Sequence, residues 1–228
     1  MIIAPNFVDL EDIGLVHGFG DRSTAYPQGI TTAKQIHSCI VQDASGPLAE
    51  GDALISNRPG VIVGIRTADC VPVLLADPET RAVAAVHAGW RGSAEGIAAL
   101  AVRALSREWG VHPGNLRAAI GPSIGACCYE VGPEVAARFG VRVSQPVHLD
   151  LPAINEMQLR LAGVTNVWKS GACTFCAVNN GGNPIDLYRF HSYRREREQA
   201  GRMVSFIGWQ KHVGRTSKGP PGKPPDVR

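Results

Sequence analysis

Two histidines and one cysteine carry side chains that bind transition metals, and each stands beside a short apolar run. They are spaced 33 and 17 residues apart along the chain: His37, Cys70 and His87. Zn²⁺ prefers imidazole nitrogen and thiolate sulfur as donors, and copper accepts them as well. The spacings are far longer than the local ligand pairs of a zinc finger, so only the fold could assemble such a site. Residue types alone leave three other cysteines competing as the thiolate: Cys39, Cys127 and Cys128.

The sequence around His87 indicates an anion-binding position. A small apolar strand ends at His87, and the glycine-rich turn 89–92 follows it. We expect Ser93 to cap the next helix, whose free N–H groups would attract anions. Arg91 in the turn adds a guanidinium suited to phosphate or carboxylate. The plainer alternative is a capping histidine beside a surface arginine.

His37 and Cys70 lie in polar breaks of the sequence. Cys70 follows Asp69 between two apolar runs, and polar groups there must face solvent, a cleft or a ligand, since unsatisfied burial is costly. His37 is predicted to lie on a short alternating strand with Gln35 on the same face. Taken singly, each residue also fits a buried structural role. With Arg91, the neighbouring Gln35 and Asp69 are candidate substrate or anion contacts.

The remaining cysteines favour structural roles. Cys173 and Cys176 have the C-x-x-C spacing of redox motifs and half zinc sites, but no second C-x-x-C accompanies them. Cys127 and Cys128 are adjacent in a glycine-rich turn, where vicinal thiols are more often packing residues. We therefore interpret both pairs as structural.

Composition excludes several classes of protein. The 228 residues can bury a core without disulfides, and we expect one catalytic domain over 1–210. The net charge is +3, but the Gly/Pro-rich segment 211–228 holds five basic residues against one acidic. That segment is predicted to be a flexible basic tail, and the near-neutral body argues against nucleic-acid binding. The absence of a signal-peptide pattern or a 20-residue apolar run predicts a cytoplasmic protein that does not enter membranes.

The elements that must position these residues follow from apolar periodicity. Short β-branched or alanine-rich runs predict strands over 61–65, 71–75, 82–86 and 164–169. Helical spacing predicts one helix from Ser93 to Gly110 and another from Asp150 to Gly163. Closely spaced strands mixed with helices indicate an α+β fold, a single domain with a mixed β-sheet flanked by helices.

Five ordered blocks of the sequence resemble the bacterial laccase-domain family: 34–37 (KQIH), 51–55 (GDALI), 67–70 (TADC), 86–92 (VHAGWRG) and 121–125 (GPSIG). Members are described as polyphenol oxidases and, later, as zinc-dependent purine nucleoside phosphorylases with adenosine deaminase activity. The resemblance implies that His37, Cys70 and His87 bind the metal, Zn²⁺ with copper as the alternative, and carry catalysis. The segment from Gly18 to Ala33 is shorter than is usual in that family, which leaves open the substrate contacts supplied there.

Three protein ligands leave the fourth position of a tetrahedral metal open, which is the pattern of a catalytic site. The resemblance then implies phosphorolysis of purine nucleosides and deamination of adenosine, with a nucleoside and phosphate as the small-molecule partners. A thiol hydrolase, with Cys70 as nucleophile and a histidine as base, is one alternative. A laccase-like phenol oxidase is disfavoured because the seven histidines form no His-x-His pair. A zinc-binding module without activity would need a fourth ligand such as Cys39.

Overall fold

Short apolar segments form the central strands of the computed structural model, which describes residues 1–179 and 187–211. Within these ranges the strands are β1 Leu15–Phe19, β2 Ile30–Thr31, β3 Val41–Asp43, β4 Ala53–Ser56, β5 Ile62–Thr67, β6 Val71–Ala76, β7 Val83–Ala88, β8 Arg117–Ile120, β9 Glu130–Val131, β10 Val147–His148, β11 Asn166–Lys169 and β12 Met203–Trp209. The α-helices are α1 Val8–Glu11, α2 Trp90–Ala94, α3 Ile97–Trp109, α4 Pro133–Ala137, α5 Leu151–Leu161 and α6 Tyr193–Glu196. Short 3-10 turns cover Pro5–Phe7, Pro113–Asn115 and Arg197–Gln199.

Two mixed sheets and the helices form three layers. The central sheet has six strands in the order β11-β8-β6-β7-β4-β3, and a second sheet has the order β1-β12-β5-β2. In the central sheet β11 runs parallel to β8 while β6 runs antiparallel to β7. In the second sheet β2 runs parallel to β5 while β1 runs antiparallel to β12, so both sheets are mixed. A separate pair, β10-β9, completes the set in the described residues. The predicted α+β fold with a mixed sheet flanked by helices is therefore confirmed.

The central strands β6 and β7 are buried along their whole length, which explains their unbroken apolar sequence. Alternate side chains point to opposite faces. One face packs under α3 and α5 in a core that includes Val73, Leu75, Val86, Ile97, Ala101, Leu105 and Leu159. The other face packs on the second sheet in a core that includes Leu74, Ala85, Val63, Ile65, Ile207 and Trp209. The central sheet is thus held rigidly from both sides.

The predicted strands are confirmed, although β11 begins two residues later than expected, at Asn166. The second predicted helix is also confirmed, with the Asp150 carboxylate accepting from the Ala153 N–H at 2.9 Å. The predicted start of the first helix, with Ser93 as its cap, is wrong. Gly89 precedes α2, and Gly96, at φ 79°, separates α2 from α3, so Ser93 lies inside a helix and does not cap one.

The predicted basic tail lies almost wholly outside the described residues. Of residues 211–228, only Lys211 is described. The longest described helix is α3, with 13 residues, and none of the helices in the described ranges combines the length and apolarity that a membrane span requires.

Candidate metal centre

The hairpin of β6 and β7 brings two of the three candidate ligands together. His87 lies on β7 opposite Pro72, and Cys70 immediately precedes β6, so the 16 residues between them belong to one antiparallel hairpin. His37 approaches from the loop between β2 and β3. The donor atoms of His37, Cys70 and His87 all lie within 4.8 Å of one another. The three predicted ligands therefore share one site, and Cys39 is not part of this group.

The geometry of this group suits a tetrahedral metal. His37 Nε2 lies 4.0 Å from Cys70 Sγ, and the two imidazole rings meet edge to face at 78°. A zinc ion bound at about 2.1 Å to nitrogen and about 2.3 Å to sulfur separates those atoms by about 3.6 Å, within a small side-chain rotation of the observed distance. A Cβ atom at Gly89 would lie 3.0 Å from His37 Cδ2 and 3.3 Å from Cys70 Sγ. Glycine therefore keeps the space beside the donors clear.

Asp52 orients the histidines. Its side chain is fully buried and accepts a hydrogen bond from His87 Nδ1 at 2.7 Å. The same carboxylate accepts from the N–H groups of Ile36, His37 and Ser38 at 3.2, 3.0 and 2.6 Å. One buried acid thus accepts the proton of His87 Nδ1, so that Nε2 is the ring nitrogen left for a metal, and it holds the loop that carries His37.

This gathering of N–H groups corrects the predicted strand around His37. The residue has φ 60° and lies in no strand, because the Asp52 carboxylate draws three consecutive N–H groups to one point. A strand would direct successive N–H groups to opposite sides. The left-handed backbone at His37 costs free energy, and the hydrogen bonds to Asp52 offset it.

The electrostatics of the metal-free cluster favour a thiolate beside a protonated imidazole. Burial alone would lower the pKa of His87, but the Asp52 carboxylate and Cys70 raise it to about 9. Burial would raise the pKa of Cys70, but hydrogen bonds from His37 and His87 lower it to about 6. Burial likewise opposes ionisation of Asp52, yet its bonds to His87 and Ser38 hold the pKa of that carboxyl well below its usual range. Cys70 is therefore anionic at neutral pH, as a metal ligand or a nucleophile must be.

Arg91 lines a cavity of about 320 Å³ that opens beside His37. The guanidinium is exposed, with Cζ 4.3 Å from the centroid of the Trp90 ring, and it makes no ion pair with any described carboxylate. Arg138 lines the same cavity but pairs with Glu95. Arg91 is thus a cation available to an anionic group next to the three candidate ligands.

Gln35 and Asp69 are engaged with protein groups. The Gln35 amide donates to the Arg66 carbonyl at 2.8 Å and accepts from the Arg66 N–H at 2.7 Å. Asp69, buried and at φ 84°, accepts from Thr174 Oγ1 at 2.6 Å, Ser192 Oγ at 3.0 Å and the Arg194 N–H at 2.6 Å. Both side chains therefore brace the loops that carry His37 and Cys70.

Comparison with known proteins places this architecture in a family. The family model for "Multi-copper polyphenol oxidoreductase laccase" matches residues 20–210. The chain belongs to this laccase family. It is 40% identical to a purine nucleoside phosphorylase of Deinococcus radiodurans, over 81% of this chain and 72% of that protein. It is 37% identical to adenosine deaminase RL5 of an unknown prokaryotic organism, over 68% of this chain and 73% of that protein.

A solved structure agrees with the fold. The crystal structure of YlmD from Geobacillus stearothermophilus matches this laccase-family chain with a TM-score of 0.75 and 27% identity. The match covers 91% of this chain and 94% of that one. The layered architecture described above is therefore that of a solved relative.

Sequence reasoning did not single out Asp52, Thr174 or Ser192 in this laccase-family chain. The signal for Asp52 was present, because an acid that immediately precedes a buried strand needs a partner. Ser192 begins a segment, 192–196, that resembles a C-terminal block of the family, but neither Thr174 nor Ser192 carried a signal of contact with Asp69, since hydroxyl residues in loops are common. Only the fold shows that both donate to the Asp69 carboxylate.

Proposed function

We propose that this chain is a metal-dependent purine nucleoside enzyme that cleaves nucleosides with phosphate and deaminates adenosine. One zinc ion, held by His37, Cys70 and His87, would serve both reactions. The observation that carries the proposal is a cluster of three ligands, without a fourth protein donor in the described chain, beside a cavity that carries an arginine. Relatives named purine nucleoside phosphorylase and adenosine deaminase support the same conclusion.

A zinc ion bound there would lower the pKa of a water molecule toward neutrality and polarise a substrate oxygen. The protein's own groups supply the remaining parts. Asp52 holds His87 with Nε2 toward the cluster, and the 320 Å³ cavity is of the size that small-molecule ligands occupy. Arg91 would hold phosphate against the sugar during phosphorolysis. Deamination does not require a bound phosphate.

Oxidation by several copper ions, which the family description names, finds less support in the donor set. The two His/Cys/Asp/Glu groups of the described residues that could hold a metal contain only two histidines, His37 and His87. A single copper ion at the same three residues remains the alternative metal. We therefore favour zinc and nucleoside chemistry.

A thiol hydrolase is the second candidate, and the thiolate of Cys70 favours it. A cysteine whose pKa lies near 6, beside two histidines, has the charge state of a nucleophile. The two candidates differ in what the sulfur does. A ligand is protected by its metal, whereas a nucleophile must stay accessible to carbon.

The first test is metal analysis of the purified protein, followed by incubation with adenosine or inosine, with and without phosphate. We expect zinc in the protein, ribose 1-phosphate when phosphate is present, and ammonia from adenosine. Removal of zinc with a chelator should abolish both products, and added zinc should restore them. Full activity of the metal-free protein, with stoichiometric alkylation of Cys70, would support the thiol hydrolase.

Arg91 allows the two nucleoside reactions to be separated. Arg91→Ala should reduce phosphate-dependent turnover by about 10- to 100-fold and leave deamination nearly unchanged, since only the former needs a bound anion. Arg103→Ala, a substitution on α3, is the matched control and should affect neither. Equal losses of both activities in Arg91→Ala would argue against an anion-binding role.

A further inference from the structure

The two cysteine pairs that we interpreted as structural meet at one point of the fold. Cys127 and Cys128 lie in the loop after β8, and Cys173 and Cys176 lie in the loop after β11. Their four sulfur atoms all lie within 4.8 Å of one another. We refer to Cys127, Cys128, Cys173 and Cys176 as the four-thiol cluster. It shares no residue with the candidate metal centre.

We propose that the four-thiol cluster binds a second metal ion, a structural zinc with four thiolate ligands. Zn²⁺ bound by four sulfur atoms at about 2.3 Å places each pair of sulfur atoms about 3.8 Å apart. Cys127 Sγ and Cys176 Sγ, which belong to different loops, are separated by 3.8 Å. This distance is that of two ligands of one zinc ion, and it is far beyond the roughly 2.05 Å of a disulfide bond.

The backbone beside the cluster favours a thiolate at Cys173. The Gly125 N–H donates to Cys173 Sγ at 3.3 Å, a hydrogen bond that stabilises negative charge on sulfur. A Cβ atom at Gly125 would lie 3.3 Å from Cys127 Sγ and 3.7 Å from Cys173 Sγ. The absence of a side chain therefore leaves room beside the sulfur atoms, as Gly89 does at the first centre.

Each cysteine pair lies on a turn of its own, which lets both of its sulfur atoms face the same point. The Cys128 N–H donates to the Gly125 carbonyl at 2.9 Å, and the Ala177 N–H donates to the Cys173 carbonyl at 3.0 Å. Arg195 donates to the carbonyls of Thr174 and Phe175, within the second turn. That guanidinium places positive charge next to a site whose four thiolates and one zinc ion together carry a net negative charge.

The proposed zinc would also brace the first metal centre. Thr174, which follows Cys173, donates to Asp69, and the Ile124 N–H donates to the Asp69 carbonyl at 2.9 Å. Asp69 immediately precedes Cys70. Both loops of the four-thiol cluster thus touch the residue next to the Cys70 ligand. Four protein ligands leave no open position, so this ion would have a structural role and no catalytic one.

Metal stoichiometry tests the proposal with the full chain, purified under reducing conditions in the presence of zinc. We expect two zinc ions per chain in the wild type and one in Cys70→Ser, because the four-thiol cluster remains intact. Cys127→Ser, at an exposed position, should also retain one ion, held by the first centre. Cys39→Ser is the control and should retain two. One ion in the wild type with none in Cys70→Ser would overturn the proposal.

Cobalt substitution identifies the ligands even if a variant of the cluster folds poorly. Cys70→Ser loaded with Co²⁺ should show the strong sulfur-to-metal charge-transfer absorption of a tetrathiolate, and Cys70→Ser/Cys127→Ser should lose most of it. Absence of this absorption from both the wild type and Cys70→Ser would count against a four-sulfur site. So would mass spectrometry of the protein as purified, if it showed a Cys127–Cys176 disulfide. If metal remains in Cys70→Ser while the wild type lacks nucleoside activity, the second site stands and the proposed function fails.

Discussion

Two buried histidines of this protein, His17 and His87, have the same exposure and opposite proton affinities. Each lies on a strand and is 3% exposed. His17, on β1, packs edge to face against Phe7 with the ring centroids 5.0 Å apart, and its Nε2 accepts the Ala4 N–H at 3.0 Å. Burial lowers the pKa of His17 to about 4. At His87 burial acts in the same direction, but Asp52 and Cys70 raise the pKa to about 9.

The difference shows that burial of a histidine says little about function, whereas its partners say a great deal. His17 is a neutral core residue whose hydrogen bond comes from an uncharged backbone group. His87 has a buried carboxylate on one ring nitrogen and a thiolate near the other, the arrangement that orients a metal ligand. Predictions about these two regions therefore concern the partners of each histidine.

The largest expected effect comes from removal of the carboxylate behind His87. Asp52→Ala leaves the His87 Nδ1–H and the N–H groups of three loop residues without an acceptor, so we expect a loss of about 3–5 kcal/mol in unfolding free energy. Metal affinity of the first centre should fall by at least about 10- to 100-fold, as for other outer partners of metal ligands. Urea unfolding and competition with a chromophoric chelator measure the two effects.

Asp52→Asn is the matched variant, since it keeps the shape and one carbonyl acceptor. It should fold and still lose metal affinity, because an amide cannot accept all of the N–H groups that the carboxylate accepts. Metal affinity within threefold of the wild type in Asp52→Asn would show that His37, Cys70 and His87 are oriented without this acid. The contrast between the two histidines would then have no functional meaning.

A smaller effect is expected at His17, and pH reveals it. The pKa of His17 is lowered from an ordinary 6.5 to about 4, so between these pH values the unfolded chain binds a proton at His17 and the folded chain does not. The contribution of neutral His17 to the unfolding free energy is therefore complete above pH 6.5 and is lost as the pH falls toward 4. At 1.36 kcal/mol per pH unit, the loss reaches about 3 kcal/mol near pH 4.

His17→Gln keeps an acceptor for the Ala4 N–H and should flatten the profile of unfolding free energy against pH between pH 6.5 and 4. Above pH 6.5, the metal-free cluster of His37, Cys70 and His87 should change the unfolding free energy little with pH. The stability due to the raised pKa of His87 is lost as pH rises toward 9, and that due to the lowered pKa of Cys70 is lost as pH falls toward 6, so the two slopes oppose each other. An equally steep profile in His17→Gln would show that other groups cause the acid instability.

The sequence predicted these regions to different degrees for physical reasons. The strands around His87 were predictable because both faces of the central sheet are buried, which leaves long apolar runs. The three candidate ligands were recognisable through blocks of sequence, whereas their convergence depends on pairing between β6 and β7 and on the loop at His37. The left-handed His37 and the early start of α2 were missed because the Asp52 carboxylate and Gly89 act through tertiary structure.

The four-thiol cluster was missed for the same reason. Its two pairs are separated by more than forty residues, and the parallel pairing of β11 with β8 brings the loops that follow these strands to the same edge of the sheet. The sequence of either cysteine pair alone does not distinguish metal ligands from packing residues. The two pairs meet only because distant strands pair, and local sequence carries little information about such long-range pairing.

The smallest expected effect concerns Glu11, whose Oε1 lies 3.4 Å from His17 Nδ1. If this carboxylate acted on His17 as Asp52 acts on His87, the two histidines would titrate alike. Its side chain is 42% exposed, however, and solvent screens a carboxylate that is open to water. Glu11→Gln should therefore change the loss of unfolding free energy between pH 7 and pH 5 by less than about 0.5 kcal/mol. A change above about 1.4 kcal/mol is equivalent to one unit in the pKa of His17. It would mean that solvent exposure does not weaken the effect of Glu11 on His17, and that burial of Asp52 does not explain why the two histidines differ in pKa. Urea unfolding of both proteins at the two pH values measures this change, and Asp12→Asn, in the same exposed segment, provides the control for a lost surface charge.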